Sequence, residues 1–163
     1  MDSVERHEAQ EQLVASLLQG QQQIFFFPDG LLGFSAYRRF TLSRYQSADG
    51  NESPFFVLQA VDGDLSFPLV SPRLLMPDYH LSLSPEALVK LATDTTSDLV
   101  ALAIVTLRPR LEDITANLQG PLLLNPIARL GLQIVAEQYP VRYPLLTHQP
   151  VPKKRSRRVN QKR

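Results

Sequence analysis

The 163-residue chain contains no cysteine. Disulfides, thiolate metal sites and cysteine nucleophiles are therefore excluded, and nothing points to an oxidising compartment. No apolar run approaches the roughly 20 residues that a membrane-spanning helix needs. The opening MDSVERHEAQEQ carries no apolar stretch behind basic residues, so a cytoplasmic protein is expected. His7, His80 and His148 lie far apart and show no His-x-x-x-His or His-x-His spacing, which leaves no metal site to propose. There is no Gly-x-Ser-x-Gly turn for a serine nucleophile. Asp78 and Asp113 are candidates for a carboxylate pair only if the fold joins them. With no acid, base and nucleophile in a recognisable pattern, the chain reads as a non-enzyme without a cofactor.

Glycine is also scarce, with seven residues, and its one notable arrangement is IFFFPDGLLGF at 24–34. A dinucleotide loop needs Gly-x-Gly-x-x-Gly, and a triphosphate loop needs Gly-Lys-Ser or Gly-Lys-Thr; neither is present. Leu31 and Leu32 between Gly30 and Gly33 also argue against a nucleic-acid clamp, whose middle positions are polar or basic. The stretch reads instead as a turn at Pro28-Asp29-Gly30, with Gly33 relieving crowding and Phe25, Phe27, Leu31 and Phe34 supplying core.

What the chain does have is segregated charge. The net +1 hides seven cations and no acid in residues 151–163; residues 1–150 hold 10 Lys and Arg against 16 Asp and Glu, a net −6. An acidic globular body with a basic extension is expected. Three regions follow: an extension over 1–20, helical if Leu13, Val14, Leu17 and Leu18 form one face; a domain over 21–148; and a basic, disordered tail over 149–163.

Within the body, short apolar runs are punctuated by Pro, Gly, Asp and Asn, the texture of strands and turns. DLVALAIVTL (98–107) reads as a strand buried on both faces. PFFVLQAV (54–61), the Asp62-Gly63 turn and LSFPLV (65–70) read as a hairpin. PLLLN (121–125) and LQIVAEQY (132–139) are further apolar segments. SPEALVKLA (84–92) is the one helix, with Ser84 as cap, Pro85 at the first helical position and Glu86 at the positive end of the dipole. The expected fold is a mainly β, single-domain antiparallel barrel or sandwich with that one short helix. At this length folding buries on the order of 70% of the extended surface, so the core needs no staples.

Taken in order, FPDGLLGF (27–34), PFFVLQA (54–60), SPRLLMPDY (71–79), DLVALAIVTL (98–107), TANLQGPLLLN (115–125), GLQIV (131–135) and YPVRYPL (139–145) resemble the flagellar assembly factor FliW family. Leu32, Ala60, Gly120 and Tyr143 depart mildly from its pattern, and LLQGQQQ stands where the family carries an alternating first strand. The resemblance implies a monomeric cytoplasmic β-barrel-like protein that acts through protein contacts. Members bind the RNA-binding regulator CsrA, relieving its repression of flagellin translation, and also bind flagellin. Candidate contacts are Asp78 and Tyr79 after Pro77, Asn117 and Gln119 in a polar break, and Arg142 and Tyr143 closing the domain. Each also has a local structural reading as a turn, core or ion-pair residue. The tail residues Lys153, Lys154, Arg155, Arg157 and Arg158 are candidates for contacts with an anionic partner, and an RNA-associated β module gripping RNA through this tail is the rival reading.

Overall fold

The computed structural model describes residues 22–146. The expected N-terminal extension over 1–20 and the basic tail over 149–163 lie outside the described residues. The chain runs β1 (Gln23–Phe26), β2 (Arg39–Gln46), β3 (Glu52–Ala60), β4 (Ser66–Val70), α1 (Pro72–Leu75), α2 (Pro85–Lys90), β5 (Val100–Thr106), β6 (Thr115–Asn125), β7 (Leu130–Gln133) and β8 (Tyr143–Pro144). Strands β1 to β7 pair each with the next or across the closure, except that β1 joins β7 in parallel through Phe26 and Leu130. The result is a closed seven-stranded barrel, to which β8 adds at the start of β6.

Alternation along the strands fills this barrel. Phe25, Phe40, Leu42, Phe56, Leu58, Leu69, Leu102 and Leu122 point inward and are at most 4% exposed. Each such side chain contributes about 1.5 to 3 kcal/mol by leaving water. Phe27 meets Phe40 edge to face with ring centroids 5.3 Å apart. Its ring lies directly over Gly131, where a Cβ would overlap it.

The outer face of the barrel carries two further cores. One gathers Val70, Tyr79, Ala103, Val105, Ala116 and Leu118 beneath α1 and the C-terminal segment. The other packs Ala87 and Leu91 of α2 on Leu99, Leu123 and Leu132. α2 forms as the sequence predicts: the Ser84 hydroxyl accepts from the Ala87 amide and Pro85 occupies the first turn. Buried Asn125 ties this helix to the β6–β7 turn, donating from Nδ2 to the Leu91 carbonyl (2.6 Å) and accepting from the amides of Ile127 and Ala128.

The hairpin expected over 54–70 is present as β3 and β4, with Gln59 opposite Ser66. Four expectations need correction. A second one-turn helix, α1, follows β4, because Pro72 fits its first turn. β5 starts at Val100, since the Thr95 hydroxyl accepts from the Ser97 amide and holds Thr96–Asp98 in a 3-10 turn. Gly33 relieves no crowding: a Cβ there would meet open space, and its φ of +84° is the reason for glycine. The crowded position is Gly30, where a Cβ would lie 2.7 Å from the Ser35 Cα. Phe34 is 39% exposed and sits edge-on to Phe67 rather than in the core.

Candidate partner-binding site

The family-like segments meet at an irregularity in β6. Between the pairs Leu102–Leu122 and Ile104–Asn117, residues 118–121 of β6 stand opposite Ala103 alone. Such a wide bulge frees backbone groups that need partners. Asn117 supplies one set, its Oδ1 accepting from the amides of Gln119 (3.0 Å) and Gly120 (2.9 Å). The Tyr79 hydroxyl donates to the Leu118 carbonyl (2.7 Å), and the Ala136 amide donates to the Gln119 carbonyl (2.7 Å). Gln133 joins the bulge to the glycine loop, donating from Nε2 to the Gly120 carbonyl while Oε1 accepts from the Leu32 amide.

The six expected contact residues fall into distinct settings. Asp78 and Arg142 are exposed. Tyr79 follows its structural reading as a core residue: it is 2% exposed and stacks on Tyr139 with centroids 4.2 Å apart. Burial, with a smaller push from Tyr139, raises its phenol well above the usual range. Asn117 and Gln119 are half-buried, and the Gln119 amide nitrogen Nε2 donates to the Tyr139 carbonyl. Tyr143 is half-buried in β8, paired with Ala116 and packed with Tyr79 in the same core. The fold thus brings Tyr79, Asn117, Gln119 and Tyr143 together around residues 116–120 of β6. The five tail cations lie outside the described residues.

Sequence reasoning missed Tyr139 and Arg73. Tyr139 accepts from the His80 amide and donates to the His80 carbonyl, both at 3.0 Å. Arg73 of α1 donates from Nε to the Tyr79 carbonyl (3.0 Å). Their partners are main-chain atoms 59 and six residues away in sequence, so no side-chain pairing pattern announces them. Arg73, Tyr79 and His80 line a groove of about 490 Å³ between the 71–83 segment and the 95–99 turn, floored by Leu99, Ala101 and Leu123.

Among the described residues no three His, Cys, Asp or Glu side chains are placed to hold a metal ion, and every fully buried side-chain nitrogen and oxygen is hydrogen-bonded. No helix among them is long and apolar enough to cross a membrane. Residues 22–146 carry 12 acids against nine Lys and Arg, a net −3, so the barrel itself is acidic.

Comparison with known proteins places this arrangement. The family model described as FliW protein matches residues 8–145. The chain is 37% identical to the flagellar assembly factor FliW of Carboxydothermus hydrogenoformans over 127 residues, covering 77% of this chain and 80% of that protein. It is 39% identical to the FliW of Geobacter sulfurreducens over 127 residues, 76% of this chain and 77% of that one. A crystal structure of the flagellar assembly factor FliW superposes with a TM-score of 0.64 at 30% identity, covering 74% of this chain and 82% of the other. With its closed barrel, its β6 bulge and a family match across most of its length, the chain belongs to the FliW family of flagellar assembly factors.

Proposed function

We propose that this protein acts in the cytoplasm as an antagonist of the translational regulator CsrA and as a binder of flagellin, so that flagellin synthesis follows flagellin secretion. Free flagellin occupies the factor and leaves CsrA to repress; export of flagellin frees the factor to hold CsrA. The observation that carries this reading is the convergence of the family-like segments on the β6 bulge. Leu32, Tyr79, Asn117, Gln133 and Tyr139 come from five of them and are joined by hydrogen bonds. In this reading Asp78, Gln119, Arg142 and Tyr143 offer surface to a partner, while Tyr79 and Asn117 hold its shape.

Charge supports the same assignment. CsrA binds RNA and must present positive charge, so an acidic barrel is steered toward it at a rate that falls with salt. If the two ligands of CsrA act at separate surfaces, RNA must weaken the factor's binding by the same ratio by which the factor weakens RNA binding.

The test is complex formation of the purified protein, with and without residues 151–163, with CsrA, flagellin and RNA across a salt series. Binding of CsrA and flagellin by both forms is expected. Binding of RNA through the tail, with neither protein held, would replace this reading with that of an RNA-associated module whose grip is Lys153, Lys154, Arg155, Arg157 and Arg158.

A further inference from the structure

The groove beside α1 has three properties that select a ligand. Its floor and one wall are aliphatic, from Leu81, Leu83, Leu99, Ala101 and Leu123. Its volume, about 490 Å³, falls within the range of about 300 to 1,000 Å³ typical of ligand sites. On an acidic barrel its lining contains no carboxylate, and its one permanent cation is Arg73. The Arg73 guanidinium is anchored through Nε on the Tyr79 carbonyl, while its two terminal nitrogens have no partner among the described residues.

The wall supplies a fourth property. Among the described residues, the amides and carbonyls of Leu81, Ser82 and Leu83 make no hydrogen bond to protein. Main-chain groups left open beside an apolar trough are what an added peptide strand uses, with backbone pairing giving affinity and side-chain contacts giving selectivity.

From these features we propose that the groove docks a peptide segment of a protein partner, its main chain paired along Leu81–Leu83. Its aliphatic side chains rest on Leu99, Ala101 and Leu123, and the carboxylate of an acidic side chain in the segment meets Arg73. The assignment rests on the reading that this chain works by holding other proteins, and it names the surface and the chemistry of the held segment. A carboxylate suits the site because guanidinium and carboxylate match in a two-pronged contact, and because no acid in the lining competes for Arg73.

The experiment titrates the full-length, 15N-labelled protein with fluorescein-labelled peptides built on Gly-Gln-Val-Leu-Ala-Leu. One ends in Glu with an amidated terminus, one in Gln with a free terminus, one in amidated Gln and one in amidated Lys. Anisotropy should show a carboxylate peptide binding about tenfold more tightly than amidated Gln, as expected for one charge-assisted contact. The gain is expected for the Glu peptide, and a gain confined to the free-terminus peptide overturns the side-chain assignment. Amide shifts should cluster at 71–73, 81–83 and 95–101. Arg73→Glu should transfer the preference to the Lys peptide, a swap that mere unfolding cannot produce. Ala101→Leu, which fills the floor, should weaken every peptide about tenfold with the fold retained by circular dichroism.

Equal affinity for all four peptides, shifts elsewhere, or no binding overturns the groove assignment. Binding of CsrA and flagellin is measured on the same sample. If those proteins bind and the peptides do not, the groove assignment fails alone; if the peptides bind and neither protein does, the CsrA and flagellin reading fails while the groove stands.

Discussion

The Tyr79 hydroxyl and the Leu118 carbonyl, 39 residues apart in sequence, form a buried 2.7 Å hydrogen bond that pins the 76–83 segment to the β6 bulge. Tyr79→Phe leaves that carbonyl unsatisfied and should cost about 1 to 3 kcal/mol in chemical denaturation while keeping the fold. The same burial holds the phenol protonated above its usual 10.0. The native state therefore keeps a proton that the unfolded chain gives up, and the contribution of Tyr79 to stability should be constant below pH 10 and be lost as pH rises beyond it. Tyr79→Phe should show a shallower alkaline loss; an equal slope in both proteins would remove Tyr79 from this role.

Two asparagines make opposite predictions under the same substitution. Asn117 uses only its Oδ1, as an acceptor for Gln119 and Gly120, so Asn117→Asp should be tolerated to within about 1 kcal/mol. Asn125 also donates, from Nδ2 to the Leu91 carbonyl, and is 4% exposed. Asn125→Asp sets a carboxylate against that carbonyl and should cost about 3 kcal/mol or more, less at low pH where it is protonated. Urea melts of both variants at pH 4.5 and pH 7 check the contrast.

Backbone geometry gives a pair of opposite sign. Ala92 closes α2 at φ +55°, with the Thr93 amide bonded to the Leu88 carbonyl, a position that glycine fills without strain. Ala92→Gly should stabilise by about 1 kcal/mol. Gly131→Ala would drive a methyl into the Phe27 ring and should destabilise by about 1 to 3 kcal/mol. Thermal melts resolve both.

Much of the barrel could be read from the chain because its signals are local. Ser84-Pro85-Glu86 announces α2, and Asp62-Gly63 between branched and aromatic runs announces the β3–β4 hairpin. β2, RFTLSRYQ, gave no comparable signal because Ser and Thr fill its half-exposed outer positions. The glycine loop reads as structural, and Gly30 sits in the expected turn at positive φ; the crowding expected at Gly33 falls on Gly30 instead, against the Ser35 backbone, and Gly33 is required by φ alone. Gly30→Val, combining that overlap with a strained φ of +66°, should prevent folding at 37 °C, measurable as loss of the melting transition.

The candidate site was less legible for a physical reason. Tyr79 follows Pro77-Asp78, which reads as an exposed turn; its burial depends on Leu118 and Tyr139, distant in sequence. The groove is harder still, since Arg73, Leu83 and Leu99 have no periodic relation and come together only when the 71–83 segment crosses the outer face of β5 and β6.

The proposed function requires this protein to take CsrA from RNA by protein contact and flagellin to reverse that capture. The most direct measurement is a mobility-shift titration of CsrA on flagellin leader RNA, adding the purified protein and then flagellin. RNA should be released as the protein is added and bound again when flagellin is supplied in excess. RNA that stays bound to CsrA at saturating protein, or release that flagellin does not reverse, would contradict the proposed function.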